Sequence, residues 1–398
     1  MNRDELARLV REYLLCGHLI DRAGAPLLIG PYGRDAMRDV AIEEWRGASP
    51  IYTRRIQQLL GFARGDVETV FKGMQIDIGA PPQFMDFRYR VHDAGRGEFW
   101  LDHCGALMDV EPMGDDYVKA MCHDIEDPTF DATAWATDPR ARMTPIHRPP
   151  RRPADRHPHC AWDVTIDPGA EALPEPDEVG RMAVTRVAQL PVATIDPTDE
   201  GRADYTGPLQ DDVRFEEFSE SALCALLDEI AVQHHLLAQS FLDAVGRRWG
   251  HDAAVDIGRR HLTGIGAVTS GRLAALLGVA GGGAAGVARV LDLHPAFRPR
   301  SYVELRIEVD GDLVRMTFGD CVALHEELVP SWPQLLTAGG PEPLTAIVQG
   351  VDPRARVATT GERAWEVVVD PAATPAQEPK EVVLTRFSTG ADFAFADR

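Results

Sequence analysis

The chain has 398 residues, 44% of them hydrophobic, so it is long enough for two globular domains with their own cores. Its net charge of −21 excludes general nucleic-acid binding, which requires a basic surface. The charged N-terminus lacks the apolar segment of a signal peptide, and no apolar run approaches the roughly 18 residues of a membrane span. We therefore expect a cytoplasmic protein without nucleic-acid or membrane partners, and the six cysteines fit a reducing compartment.

The sequence contains a tandem duplication. The pairs that align at an offset of 217 residues include Glu12 with Glu229, His18 with His235 and Cys104 with Cys321. The offset falls towards 200 at the end of each copy, where "AVTRV" aligns with "VLTRF". Because the matches keep their order along the chain, the sequence predicts two homologous domains, 1–205 and 206–398, the second a partly degenerate copy.

Each copy is predicted to begin with helices. Apolar residues recur at helical spacing in 6–14 of the first copy and in 223–230 of the second. A second helix is predicted to start near Arg34 or His251, in each case after a glycine that closes the preceding turn. A third helix is predicted at 52–62 in the first copy and at 270–279 in the second.

Strands are predicted to follow the helices. Apolar and polar residues alternate in "MDFRYRVHD" and "GEFWLDHCG" of the first copy and in "YVELRIEVDGDLVRMTFGDC" of the second, where "VDGDL" is typical of a hairpin turn. Further strands are predicted at "CAWDVTID" and "RAWEVVVD", and then at "MAVTRV" and "EVVLTRF". Helices followed by a largely antiparallel sheet in each copy predict an α+β fold.

Glutamate and histidine recur together in the first helix of each copy. Glu12 and His18 are six residues apart, as are Glu229 and His235, which places them about 240° apart around a helix. One helix face cannot present both, so each pair is a poor metal site within one copy. We expect capping or hydrogen bonds between the copies, and a symmetric site assembled from both copies is the alternative.

Cysteines and histidines concentrate in one part of the first copy. The segment 102–160 holds three of the six cysteines and five of the thirteen histidines. Cys104 has a counterpart in Cys321, whereas Cys122 and Cys160 have no cysteine counterpart. An insertion of eleven residues before Cys160 adds histidines and arginines that the second copy lacks. The first copy is therefore predicted to be the functional one.

The three cysteines predict a metal site if the fold brings them together, because thiolates suit zinc or iron. The candidate ligands are Cys104, Cys122, Cys160 and His123, with Asp124 or His103 as alternatives to His123. A zinc ion with an open position would lower the pKa of a bound water to about 7. The chain has neither a CxxC pair nor an HExxH motif, so buried thiols without a metal are the alternative. No nucleotide-cofactor motif was found.

The insertion includes the basic, proline-rich segment "HRPPRRP". Its candidate substrate-binding residues are His147, Arg148, Arg151 and Arg152, because planar guanidinium groups bind a carboxylate or phosphate through two hydrogen bonds. The alternative is an exposed loop held by its own acidic neighbours.

The first copy also resembles a known family. Four features resemble the aminothiazoline-carboxylate hydrolase family and, more distantly, vinyl-reductase-type domains. They are a cysteine at a strand end and then, in order, Cys122-His123-Asp124, Asp138-Pro139 and Cys160-Ala161-Trp162. The preceding helices, with "GRDAMRD" from Gly33, are similar too, and the tandem arrangement is similar to large actinobacterial proteins. The resemblance covers about 33–167. It implies an α+β domain in which Cys104, Cys122, Asp124 and Cys160 form the functional cluster, and either opening of a small heterocyclic C–N bond or binding of a small hydrophobic ligand.

These observations lead to three functional hypotheses. The first is a cysteine- or metal-dependent hydrolase of a small C–N substrate, with Cys104 or Cys122 as nucleophile or ligand and His123 or Asp124 as general base. The second is a protein that binds or senses a small hydrophobic ligand without catalysis. The third is a non-haem metal oxidoreductase that uses the Glu and His pairs of both copies. The expected partner is a small-molecule substrate, and a homodimer is compatible with the sequence.

Overall fold

Four long helices, two from each copy, form the centre of the protein in the computed structural model, which describes residues 1–386. They are α1 (Arg3–Tyr32) and α2 (Arg34–Leu59) of the first copy and α8 (Glu220–Trp249) and α9 (His251–Leu276) of the second. Gly33 and Gly250, both with positive φ, end the first helix of each copy. Helix α8 packs against α1 and α2, and α9 packs against α1, so apolar side chains of both copies share one hydrophobic core.

Each copy has one four-stranded antiparallel sheet. The strands of the first are β1 (Met85–Asp93), β2 (Arg96–Cys104), β3 (Ala141–His147) and β4 (Cys160–Ile166), in the order β1-β2-β4-β3. The strands of the second are β5 (Leu305–Asp310), β6 (Leu313–Phe318), β7 (Ala355–Gly361) and β8 (Ala364–Val369), in the order β5-β6-β8-β7. Phe99 pairs with Trp162 in one sheet, and Met316 pairs with Trp365 at the equivalent place in the other. The predicted α+β fold of two similar halves is confirmed.

Shorter helices connect and cover these elements. In the first copy they are α3 (Val67–Met74), α4 (Gly105–Val110), α5 (Asp115–Lys119), α6 (Glu126–Trp135) and α7 (Asp177–Met182). In the second copy they are α10 (Gly283–Leu293), α11 (Trp332–Thr337), α12 (Glu342–Gln349) and α13 (Lys380–Arg386). A π-helical turn, Ala120–Ile125, joins α5 to α6. No helix within residues 1–386 has the length and apolar character needed to cross a membrane.

Two predictions of secondary structure are wrong. The separate third helix does not form, because Ala48, Tyr52 and Ile56 continue one buried face of α2 at a spacing of four residues, and α9 likewise extends to Leu276. The segments "MAVTRV" and "EVVLTRF" are not strands. The first is the end of α7 and the turns that follow it, and the second forms α13 as far as Arg386, with its last residue outside the described residues.

The error at these two segments has a common cause. The buried residues of α7 are Val179 and Met182, and those of α13 are Val382 and Thr385, so each pair has the three-residue spacing of a helix. Helix α7 packs on α2, and α13 packs on α9. The hairpin prediction is confirmed, since Asp310 pairs with Leu313 around a two-residue turn.

Candidate functional site

A cavity lies in the first copy between α1, α2, its sheet and the segment from α4 to α6, and Leu384 of α13 in the second copy also lines it. The cavity volume is about 210 Å³, far more than a single water molecule requires. The lining is mostly apolar, and it includes five of the ten methionines of the chain: Met37, Met74, Met85, Met113 and Met121. Trp45, Phe87 and Phe130 add aromatic surface. The cavity is therefore an apolar site with room for a small organic molecule.

His18 lines this cavity from α1. Its side chain is only 3% exposed, and its ring lies 4.4 Å from the ring of Phe84 and 6.3 Å from that of Trp45. Neither ring nitrogen has a hydrogen-bond partner of normal geometry. Burial lowers the pKa of His18 well below 6.5, the Arg22 charge lowers it further, and the nearby Ile78 backbone opposes both effects. The imidazole is thus neutral, and it lines the cavity without a hydrogen-bond partner of normal geometry.

Carboxyl groups outnumber cations around His18. The Asp21 Oδ2 atom lies 3.8 Å from the Arg22 Nε atom. Glu44 is 1% exposed, and its Oε1 atom has no hydrogen-bond partner. Glu126 lines the cavity and is partly exposed there. The burial of the rest of its surroundings raises its pKa to about 8. Burial also raises the pKa of Asp21 and, together with the Asp21 charge, that of Glu44. Three carboxyl groups thus surround one guanidinium group.

Asp77 is held in place at the cavity wall. Its Oδ1 atom accepts hydrogen bonds from the Tyr52 hydroxyl at 2.8 Å and from the Gly79 N–H at 2.7 Å. A Cβ atom at Gly79 would lie 3.1 Å from the same oxygen and 3.2 Å from the Trp45 ring, so glycine permits this close approach. Burial raises the pKa of Asp77 to about 6.

The second copy uses the equivalent positions differently. Helices α1 and α8 match residue for residue at the offset of 217, as do α2 and α9. The resulting counterparts are His235 for His18, Ala238 for Asp21, Gln239 for Arg22 and His261 for Glu44. The three ionisable side chains that surround His18 on these helices are thus replaced by neutral groups. Ala238 and Gln239 carry no charge, and His261 stays neutral because burial lowers its pKa to about 4.

These counterparts are bonded within the protein. The Nε2 atom of His235 lies 2.8 Å from the Arg298 carbonyl oxygen, and its ring packs 4.9 Å from that of Tyr302 and 4.8 Å from that of Trp332. The Gln239 amide donates to the Tyr302 hydroxyl at 2.9 Å. In the second copy, therefore, aromatic side chains and hydrogen bonds surround His235. Its equivalent in the first copy, His18, faces a cavity.

Three of the four cysteines of the first copy, Cys104, Cys122 and Cys160, meet in one hydrophobic core. Cys104 ends β2, where its Sγ atom accepts the Leu107 N–H at 3.4 Å and caps α4. Cys122 lies in the π-helical turn, and Cys160 begins β4 opposite Leu101. The cysteines are close enough that Cys104 raises the pKa values of the other two. Cys104, Cys122 and Cys160 therefore lie near one another in the folded chain.

The convergence does not activate the thiols. Burial raises the pKa of Cys104 to about 12 and those of Cys122 and Cys160 well above 9, with Glu126 as the second cause for all three. A cysteine nucleophile needs a lowered pKa, which a neighbouring cation or base supplies. These groups are therefore neutral thiols in an apolar environment.

The predicted partners of the thiols lie elsewhere. The His123 Nε2 atom is 2.6 Å from the Pro149 carbonyl oxygen, so this histidine anchors the proline-rich loop. Asp124 is exposed, with its Oδ2 atom 3.9 Å from the Arg38 Nη1 atom. His103 is partly buried on β2, with its ring 5.8 Å from that of His159. In residues 1–386, no group of three or more His, Cys, Asp or Glu side chains is placed to hold a metal ion, and the predicted zinc or iron stays a prediction.

The arginines of the loop are paired with acidic residues of the segment from α4 to α6. The pairs are Arg148 with Asp127, Arg151 with Glu111 through two hydrogen bonds of 2.9 and 2.6 Å, and Arg152 with Asp115 at 2.8 Å. His147 is partly buried, and burial lowers its pKa. These contacts agree with a loop held by its own acidic neighbours. An anion could use the guanidinium groups only by competing with carboxylates that already occupy them.

The cavity residues were missed by the sequence analysis. Asp21, Arg22 and Glu44 have the polarity of an ordinary helix surface when the first copy is read alone. The duplication contained the information needed to find them. At the offset of 217, all three align with residues of the second copy that are uncharged or buried and neutral, and the same alignment shows which cysteines the second copy lacks. A comparison of charged residues between the copies would have found them.

Comparison of the chain with protein families, with curated proteins and with solved structures finds no match. The resemblance to the aminothiazoline-carboxylate hydrolase family therefore stays a prediction, and the geometry of the site supplies the argument for function.

Proposed function

We propose that the first copy binds a small, largely apolar molecule in the cavity beside His18. The observation that carries this proposal is the contrast between His18 and His235. Both are buried at the same position of equivalent helices and both pack on aromatic rings, yet only His235 has a hydrogen-bond partner of normal geometry. A buried polar group without a partner is costly, so one that faces a cavity indicates a place where a bound molecule supplies the partner.

The character of the lining supports the same proposal. Methionine side chains are flexible and polarisable, so several of them around one cavity adapt to ligands of different shape. The few polar groups that reach the cavity would fix the orientation of the ligand, which is the usual division of work in a small-molecule site. The second copy then serves as structural support, because α8 and α9 pack directly against α1.

The test uses N-phenyl-1-naphthylamine, an uncharged fluorophore that emits in apolar surroundings. We expect saturable binding by the full chain at one site. Ala25 is partly buried in the cavity wall, and Ala25→Trp should fill the space and weaken binding strongly. Ala358→Trp, at an exposed position of β7, is the matched control and should bind as the original chain does.

The fold of each variant is checked by its circular dichroism spectrum and thermal midpoint. Equal loss of binding in both variants, or equal retention in both, would contradict a site at this cavity. No saturable binding by the original chain would count against the proposal itself.

Hydrolysis of a small C–N substrate by the cysteine cluster is a second proposal. It is supported by the convergence of Cys104, Cys122 and Cys160 beside Glu126. Because the thiols are neutral, they would act only after a zinc or iron ion had replaced their protons. Metal analysis tests this: stoichiometric metal in the original chain, lost in Cys160→Ala and kept in Cys321→Ala, would support it, and metal-free protein would count against it.

A further inference from the structure

We infer that the molecule bound beside His18 carries a basic nitrogen on its apolar body, and that Asp21 and Glu126 receive this cationic group. The inference rests on the proposed binding function and adds the chemical class of the ligand. It begins from the charges at the cavity, where the described lining residues Asp21, Asp77 and Glu126 lie with one cation, Arg22, and the Arg148 charge also acts on Glu126.

The imbalance of charge has a physical consequence. Arg22 is ion-paired with Asp21, and Glu44, behind the lining, adds another buried carboxyl group that has an oxygen without a partner. Arg148, which is bonded to Asp127, and Arg22 cannot together neutralise all of these, and an isolated carboxylate is unstable away from water. The carboxyl groups avoid this cost where they stay protonated, as the raised pKa of Glu126 indicates. A bound cation would compensate the same charges directly.

The aromatic residues of the lining favour the same ligand. Trp45, Phe130 and Tyr117 present rings to the cavity, and an ammonium group is attracted to the face of such rings. An anionic ligand would meet the opposite situation. Among the described lining residues its cationic partner would be Arg22, whose guanidinium group is already ion-paired with Asp21 and lies over the ring of Phe84 at 5.8 Å.

The duplication provides an internal comparison. Where the second copy surrounds its histidine with Tyr302 and Trp332, it has Ala238 in place of Asp21 and His261 in place of Glu44. At these two helix positions, therefore, the first copy has carboxyl groups beside its cavity and the second copy has none. This association indicates that the carboxyl groups serve the ligand rather than the packing of the helices.

The experiment compares three probes that share one apolar body: 2-naphthylmethylamine, 2-naphthylmethanol and 2-naphthoate. Their dissociation constants for the full chain are measured by calorimetry at neutral pH. We expect the amine to bind about ten- to a hundredfold more tightly than the alcohol, as is typical of a hydrogen bond to a charged group, and the carboxylate to bind most weakly.

Two variants locate the effect. Asp21→Asn and Glu126→Gln keep the shape of the side chains and should each weaken the amine while leaving the alcohol within about threefold. Asp124→Asn, at an exposed position outside the lining, is the matched control and should change neither. Arg22→Gln, which reproduces the residue of the second copy, should strengthen binding of the amine.

The outcomes separate this inference from the function on which it rests. Equal binding of amine and alcohol, or tightest binding of the carboxylate, would overturn the basic nitrogen and leave a small-molecule site intact. Preference for the amine that survives in both Asp21→Asn and Glu126→Gln would overturn the assigned residues. If neither the naphthyl probes nor N-phenyl-1-naphthylamine binds, the proposed function itself fails.

Discussion

Arg55 of the first copy binds Glu229 of the second through two hydrogen bonds, of 2.7 and 2.9 Å. The same interaction recurs with the copies exchanged, because Arg272 donates to Glu12. Arg55 corresponds to Arg272 and Glu12 to Glu229, so the two ion pairs are related by the duplication and connect α1, α2, α8 and α9. The expectation of hydrogen bonds between the copies is confirmed for the glutamates, but it is wrong for His235, which bonds to Arg298 of its own copy.

The first prediction concerns the more buried of these pairs. The side chains of Arg55 and Glu229 are 9% and 3% exposed, and those of Arg272 and Glu12 are 30% and 13% exposed. Glu229→Ala would leave a buried guanidinium group unpaired, which should lower the free energy of unfolding by about 3–5 kcal/mol. Glu12→Ala should cost less, because water reaches Arg272. Urea unfolding of both variants measures the difference, and equal losses would contradict the argument from burial.

Thiol labelling tests the state of the cysteine cluster. Cys224 is the exposed cysteine among the six, and the other five are buried. We expect a disulfide reagent at about pH 9 to label one thiol per folded chain and all six after unfolding. Cys224→Ser should abolish labelling of the folded chain. Rapid labelling of Cys104 or Cys122 in that variant would instead indicate a reactive thiolate and favour the hydrolase proposal.

The raised pKa of Glu126 predicts a pH dependence of stability. The folded chain holds this proton up to about pH 8, whereas the unfolded chain releases it near the ordinary value of 4.5, so the folded state binds more protons in between. The contribution of Glu126 to stability is thus full below about pH 4.5 and is lost as the pH rises towards 8. Relative to the original chain, Glu126→Gln should gain stability between about pH 5 and pH 8.

The matched control for this experiment is Asp124→Asn, two residues away and exposed. This control shows how much of the change comes from removing one negative charge from the same segment. The measurement is the thermal midpoint of each variant between about pH 5 and pH 8. A difference from the original chain that stays constant for Glu126→Gln would contradict the raised pKa of its carboxyl group.

Much of the fold followed from the sequence because its signals are local. Periodic apolar residues, glycine at 33 and 250 and alternating strands all act over a few residues, and the duplication allowed each signal to be checked twice. The wrong predictions also concern short segments of the sequence. Short segments such as "MAVTRV" carry too few residues for their spacing to distinguish a strand from a helix, and their structure is decided by packing on α2 and α9.

The cavity could not be predicted in the same way, because it depends on contacts between distant segments. Nothing near His235 in sequence indicates that Trp332 packs on its ring, almost a hundred residues later. The cysteines illustrate the converse. The insertion and the strand ends made their convergence a condition of the predicted metal site, but whether they become thiolates depends on burial, which spacing does not show.

Methyl NMR of the ten methionines provides the most direct test of the small-molecule site. Five of them line the cavity, whereas Met316 lies in the core beside the second sheet. On addition of N-phenyl-1-naphthylamine, the signals of Met37, Met74, Met85, Met113 and Met121 should shift together and saturate, while that of Met316 stays in place. Saturable shifts at Met316 with unchanged signals from the cavity methionines would contradict the account.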